Sequence, residues 1–180
     1  MQFPSHIDFA VIEDIPALNK LVNSAYRGES SKKGWTTEES LLDGLRTDPQ
    51  SLQALITDPG SVILKYTSPD NQILACVYLK LKKDRLYLGM LTVSPELQGK
   101  GIGKILLQAA EKYAILKKCS AIEMTVISVR FELIAWYTRH GYQPTGATEP
   151  FPTDPKFGIA KQPLEFIVLE KPIVLPAELP

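Results

Sequence analysis

The segment Leu91-Thr92-Val93-Ser94-Pro95-Glu96-Leu97-Gln98-Gly99-Lys100-Gly101-Ile102-Gly103-Lys104 constrains this chain more than any other. It reads as a strand running through a short loop into a long helix, with three alternate glycines at the helix mouth. Glycine there lets backbone N–H groups converge on an anion, and a helix N-terminus adds about half a positive charge, so the arrangement suits a pyrophosphate. Lys100 and Lys104 supply mobile charge beside it. Two standard nucleotide motifs fail on spacing. A P-loop needs G-x-x-x-x-G-K-[ST], but Gly103 follows Gly99 too closely, and Ile105 stands where Ser or Thr would bind magnesium. The dinucleotide fingerprint G-x-G-x-x-G puts its third glycine on Lys104 or Leu106.

The rest of the chain supplies elements around that junction. Ile7 to Val11 alternates as a short strand, and Asp14 stands as N-cap before a helix whose apolar stripe is Leu18, Leu21, Val22 and Ala25. Gly28 to Gly34 reads as a polar loop. Thr37 to Ser40 then opens a second helix carrying Leu41, Leu42 and Leu45, which Asp48-Pro49 ends. A third helical stretch, Gln50 to Thr57, stops at the turn Asp58-Pro59-Gly60. Val62 to Tyr66, Ile73 to Leu81 and Leu86 to Val93 follow with strand periodicity and turn residues between them, an antiparallel meander. Gly101 to Lys118 repeats Ile105, Leu106, Ala109, Ala110, Tyr113 and Leu116 at helical spacing. Ala121 to Val129 is a strand, Phe131 to Arg139 a helix stopped at His140-Gly141, and Tyr142 to Phe151 and Leu164 to Leu169 are the last strands. Eight of the 14 prolines lie at Pro144 and beyond. The expected organisation is one domain over 1–172 and a Pro-rich tail over 173–180.

Composition narrows the function. Twenty basic residues cancel twenty acidic ones among 180, which argues against a dedicated binder of nucleic acid or an anionic membrane, since both need a basic surplus. No apolar run approaches the ~18 residues of a transmembrane helix, and the N-terminal stretch lacks the pattern of a secretory signal. A cytoplasmic protein is the expectation. Cys76 and Cys119 form no CxxC pair and read as reduced thiols, and no His/Asp/Glu grouping has metal-ligand spacing, so no metal is expected.

Gln98-Gly-Lys-Gly101-Ile-Gly103 resembles the cofactor loop Q/R-x-x-G-x-G/A of the GNAT superfamily of acetyl-CoA-dependent N-acetyltransferases. Leu133-Ile134-Ala135-Trp136-Tyr137-Thr138-Arg139-His140-Gly141-Tyr142 is similar to its second signature, an apolar helix ending in Tyr-x-x-x-Gly-aromatic. With the element order, the resemblance covers roughly residues 7 to 170. It implies an α+β fold in which a mixed, mostly antiparallel sheet of about seven strands is flanked by about four helices. It also implies acetyl-CoA as co-substrate and direct transfer of the acetyl group to the amine of a small molecule. The backbone of Leu91, Thr92 and Val93 would then pair with the pantetheine arm and polarise the thioester. Gln98, Gly99, Lys100, Gly101, Ile102, Gly103 and Lys104 would hold the pyrophosphate, Gln98 with a side-chain contact as well. Tyr137 matches the tyrosine that protonates the departing thiolate, a role a phenol can fill at neutral pH.

Two residues depart from the family pattern. Arg130 stands where the family often has an asparagine ligand of pantetheine, leaving Ser128 or Arg130 itself as substitutes, and Leu86 to Val93 lacks an acidic base. Glu123, Tyr87 or ordered water are the alternatives for that base. The resemblance places the acceptor near Tyr26, Arg27, Trp35, Thr36 and Glu38, with Glu149 and Phe151 approaching from the late strands. A capping box with Trp35 as a staple is the plainer reading of that loop. Two other functions compete: a catalytically silent CoA-binding regulatory module, and an acyltransferase acting on a protein or peptide N-terminus. A homodimer through the late strands is a further arrangement open to the chain. Charge along the chain is split. Lysines dominate 98–118, and six acids in 29–58 oppose Lys32, Lys33 and Arg46, which suits an anionic cofactor on one side and a cationic amine on the other.

Overall fold

The computed structural model describes residues 3–175. In chain order the elements are β1 (Ile7–Phe9), α1 (Ile15–Tyr26), the single turn α2 (Gly28–Ser31), β2 (Leu42–Asp43), α3 (Pro49–Thr57), β3 (Ser61–Thr67), β4 (Ile73–Lys82), β5 (Arg85–Val93), α4 (Ile102–Leu116), β6 (Ala121–Ile127), α5 (Phe131–Arg139), β7 (Gln143–Pro150), β8 (Ile159–Ala160) and β9 (Glu165–Pro172). Seven strands form one sheet in the order β1-β3-β4-β5-β6-β9-β7, and β2 pairs separately with β8. β5 and β6 are parallel, with α4 as the long crossover that parallel neighbours need; the other pairs are antiparallel. No helix among the described residues is long and apolar enough to cross a membrane.

The meander β3-β4-β5 is buried on both faces, so its alternating side chains feed two cores. Ala75, Val77 and Leu79 of β4 meet Leu106, Ala109 and Ala110 of α4 on one face. Cys76 and Tyr78 meet Leu18 and Val22 of α1 and Leu52 of α3 on the other. Each fully buried leucine contributes about 1.5 to 3 kcal/mol relative to exposure.

One strand breaks its own alternation. Leu86 and Leu88 of β5 pack on the α4 face, yet Met90 packs with α1. Cys76 pairs with Thr92 and Tyr78 with Gly89, so Met90 and Leu91 together oppose Val77. This is a β-bulge, with Met90 at φ 51° in the left-handed region. Parallel pairing of β5 with β6 runs from Arg85↔Ala121 to Tyr87↔Glu123 and stops. Both strands continue beyond it, so they part and leave a wedge.

Three expectations change. The helix expected to open at Thr37 is absent: Glu38 N donates to Tyr26 O, Leu41 and Leu42 N both donate to Glu38 O, and Leu42–Asp43 pairs with Ile159–Ala160. Tertiary pairing there outweighs helix propensity. Leu116, expected in the buried stripe of α4, is exposed. The expected tail boundary is blurred at its start, because Ile173 N donates to Ser120 O at 2.8 Å and its side chain packs on the core; residues 176–180 of that tail lie outside the described residues. The two faces of α4 differ accordingly: Leu106→Ala should cost about 2 to 5 kcal/mol of unfolding free energy, whereas Leu116→Ala should stay within about 0.5 kcal/mol, as read from denaturant melts.

Candidate active site

The wedge between β5 and β6 opens into two cavities. One runs along the end of β5 to the start of α4, bounded by Leu91, Val93, Gly99, Gly101, Gly103, Lys104, Trp136 and Tyr137. The other, of about 330 Å³, lies between β5, β6 and the late strands and is bounded by Tyr26, Arg27, Glu38, Arg46, Tyr87, Arg130, Glu149 and Phe151 among others. Tyr26, Leu91, Leu133 and Tyr137 line both.

At the junction the splayed edge of β5 offers donors. Leu91 C=O accepts from the Tyr26 hydroxyl, and Val93 C=O accepts from Gln98 Nε2 at 3.1 Å. A strand residue's N–H and C=O point to the same side, so the Leu91 and Val93 amides face the groove beside carbonyls already occupied. Thr92 points the other way. It pairs with Cys76, its Oγ1 donates to Met90 O at 2.9 Å, and it is buried away from the groove.

The helix mouth is built for an anion. Gly101 is the N-cap of α4 at φ 84°, and Gly99 sits at φ 79°. Side chains rarely adopt that conformation, and a Cβ at either glycine would project into open space within reach of no protein atom. The first-turn amides that follow, Ile102, Gly103 and Lys104, have no intrahelical acceptors. Gly103 has a different reason to be glycine, since a Cβ there would come 3.3 Å from the Trp136 ring. These residues fit a bound pyrophosphate. Of the expected lysines Lys104 lines the groove and Lys100 does not, while Lys112 lies further along α4 and Lys117 and Lys118 lie past its end. Arg139 and His140, at the end of α5, line it as well. Sequence reasoning missed both, although their place just after Tyr137 in the second signature was a usable signal.

Gln98 departs from its expected side-chain contact. Its Oε1 accepts from Trp35 N at 2.8 Å, and its Nε2 donates to Thr36 Oγ1 at 2.8 Å and to Val93 O. Both amide hydrogens are engaged, and the side chain fastens the loop after α2 to the end of β5. Gly34 makes room for it, since a Cβ there would lie 2.5 Å from Gln98 Oε1. Trp35 accordingly borders the groove at the α4 mouth, 6.1 Å from the Trp136 ring, and does not line the second cavity where the acceptor was expected. The staple reading fails with the helix it required.

Two tyrosines face the junction. Burial pushes the Tyr26 hydroxyl up to about 12, moderated chiefly by the Arg46 charge. Burial likewise holds Tyr137 well above its ordinary value, with Tyr26 and Tyr142 adding to it. Tyr137 is 6% exposed. Both stay protonated through the neutral range, so each is a donor and neither is a base. Burial also lifts the Cys76 thiol to about 12 and Cys119 above its usual value, which makes both poor nucleophiles.

The second cavity is more cationic than the sequence suggests. Glu38 Oε2 lies 3.1 Å from Arg27 Nη2 and its Oε1 lies 3.4 Å from Arg130 Nη1. Glu38 reaches the expected cavity, but two guanidinium groups hold its carboxylate. Arg130 faces this cavity and not the groove, and Ser128 lines neither, so the pantetheine substitutes named for them are not where that role requires. Glu123 pairs with Lys82 at 3.4 Å outside both cavities, away from where a base would act; of the named side chains Tyr87 alone lies on the wall. No group of three or more potential metal ligands occurs among the described residues.

Two measurements test this arrangement. Gln98→Ala should release the Trp35 loop and increase its protease sensitivity while leaving the far-ultraviolet dichroism near wild type. For Tyr26, a hydroxyl raised from 10 to about 12 in the folded chain ionises first in the unfolded one. Its contribution is therefore intact below pH 10 and is lost between pH 10 and 12, at about 1.4 kcal/mol per pH unit. Tyr26→Phe should flatten that alkaline fall in melting temperature relative to wild type.

Comparison with known proteins agrees with the geometry. The chain superimposes on the ribosomal-protein-S18-alanine N-acetyltransferase of Escherichia coli with a TM-score of 0.70 at 16% identity, over 96% of each chain. The ribosomal-protein-alanine N-acetyltransferase of Brucella melitensis gives 0.67 at 18% identity, over 93% of this chain and 99% of that one. The PaiA N-acetyltransferase of Thermoplasma acidophilum, solved in complex with coenzyme A, gives 0.64 at 18% identity, over 96% and 99%. No curated protein sequence matches. Residues 17–142, which run from α1 through the glycine-rich junction to the end of the second signature, match the acetyltransferase (GNAT) family. The chain is an acyltransferase of the GNAT family.

Proposed function

We propose that the protein moves an acetyl group from acetyl-CoA to the amine of a small molecule by direct transfer. The observation that carries this reading is the meeting of two cavities at Tyr26, Leu91, Leu133 and Tyr137. One cavity has an anion-binding helix mouth and the other does not, as two substrates approaching one point would need. Acetyl-CoA supplies the thioester carbonyl that the amine attacks.

The chain's own residues do the rest. The amides from Gly99 to Lys104 take the pyrophosphate, with Lys104 and Arg139 adding charge. Leu91 and Val93 donate N–H groups where negative charge develops on the carbonyl oxygen, and donors fixed in a buried strand stabilise that charge without reorganising. A carbon–nitrogen bond forms as the carbon–sulfur bond breaks. Tyr137 gives its proton to the departing sulfur, and the amine's proton leaves to solvent or to a wall group. A tyrosine kept neutral by burial holds that proton over the whole working range.

A small acceptor is favoured over a peptide by how the second cavity closes. The strap after β7, with Phe151, Pro152 and Phe157, lines it together with Leu42 and Arg46. These two stretches are tied by the β2–β8 pairing and by Lys161, whose N donates to Leu41 O and whose Nζ donates to Glu39 O. A continuous wall at that side leaves little room to thread a polypeptide. The buried thiols Cys76 and Cys119, free of a disulfide, suit the cytoplasm.

Free-thiol release on a panel of small amines and of peptides is the deciding assay. Release with small amines and not with peptides is expected; release with peptides alone would overturn the small-molecule reading, and none with either would favour a silent CoA module. Tyr137→Phe should lower kcat by about a hundredfold or more with little change in acetyl-CoA affinity; an unchanged rate across pH would remove the proton donor. Gly101→Asp should abolish acetyl-CoA binding by calorimetry, because the added carboxylate enters the space beside the helix mouth; its left-handed backbone adds strain, so a melting curve checks that the variant is folded.

A further inference from the structure

The second cavity carries charge that amine transfer by itself does not need. Its charged lining is Arg27, Arg46 and Arg130 against Glu38 and Glu149. Glu38 is shared between Arg27 and Arg130, so that buried triad keeps one positive charge. Arg27 is 6% exposed, and its Nε–H has no acceptor. Arg46 is half-buried 5.6 Å from the centroid of the Tyr26 ring and makes no ion pair among the described residues. Glu149 is exposed on the late-strand wall, and it also has no ion pair among them. Three guanidinium groups less two carboxylates leave one positive charge.

Guanidinium groups are costly to bury without counter-charge, and this wall has more donors than acceptors. A plain cationic amine would enter against the surplus. An acceptor bringing a single negative charge would balance it, and planar guanidinium groups match a carboxylate in shape as well as charge. The rest of the wall is mostly apolar, with Phe151 and Phe166 at 5.3 Å between centroids beside aliphatic side chains such as Leu88, Val126 and Leu133.

Resting on the amine-acetylation reading, we propose that the acceptor is an amino-acid-like molecule with an apolar body, whose carboxylate is held by Arg46 and Arg130 while its amine reaches Leu91 and Tyr137. A surplus of one charge fits a carboxylate better than a phosphate dianion of the same general chemistry. Arg27 is a positioning residue: it holds Glu38, which in turn orients Arg130.

Calorimetry on the full chain tests binding apart from turnover, with 3-phenylpropionate, 3-phenylpropionamide, phenethylamine and phenylphosphonate as probes. The carboxylate should bind at least about tenfold tighter than the amide or the amine, and R46Q and R130Q should each weaken it by about tenfold or more without affecting the amide. Arg46→Lys should recover part of the loss, and melting curves of each variant check that it folds. Equal binding of acid and amide, no binding of either, or tighter binding of the phosphonate would overturn the proposal. Thiol release with phenylalanine against phenylalaninamide tests the reaction separately. If both are turned over equally, acetylation stands and the carboxylate site falls. If neither is, while arginine-dependent binding of the carboxylate persists, the site stands and the reaction assignment falls.

Discussion

The parting of β5 from β6 after Tyr87 is the constraint on which the rest of the site depends. Parallel strands that stayed paired to their ends would close the wedge and bury the amides of Leu91 and Val93 in the ladder. The bulge at Met90 and Leu91 prevents this by twisting β5 away, at the cost of one left-handed non-glycine residue. Tyr26 and Gln98 then bond the two carbonyls exposed by the parting. Exposed strand edges usually present donors and acceptors alike. With both carbonyls occupied, this one presents donors alone, which suits a site where negative charge must develop.

Much of this frame was legible in the sequence because it follows from local pattern. The meander, α4 and α5 appear where periodicity and turn residues put them, since their apolar faces agree with the elements they pack against. The bulge was not legible: Leu86 to Val93 alternates acceptably as a plain strand, and the extra residue shows in the register with β4, in the φ of Met90 and in the side it buries. The stretch from Thr37 to Leu45 misled for a related reason. Its leucines carry helical spacing, but its backbone is committed to Tyr26, to β8 and to Lys161, partners more than a hundred residues away in the last two cases.

Charge illustrates the same limit. Counting along the chain sets six acids in 29–58 against three cations and suggests a negative surface. In space Glu29 and Glu39 share Lys32, Asp43 meets Lys161 and Asp58 meets Lys80. Asp48 caps α3 through Ser51 N, and Glu38 is held by two arginines. Little of that negative charge is left for a ligand. Arg27 and Arg130 come from outside the counted window or from its edge, and they turn the cavity wall cationic.

The helix α5 shows why the two halves of the site are not independent. Arg130 stands at its N-cap beside the second cavity, Tyr137 two turns on at the junction, and Arg139 and His140 at its end beside the groove. Trp136 locks this helix to the start of α4, with its ring against Gly103 and 4.3 Å from the His140 ring, whose Nδ1 lies 2.8 Å from Trp136 O. A shift of α5 would therefore move the linings of both cavities together. Enlarging residue 103 would push on Trp136 and through it on Tyr137, so the third glycine of the loop serves the position of that tyrosine as much as the shape of the helix mouth.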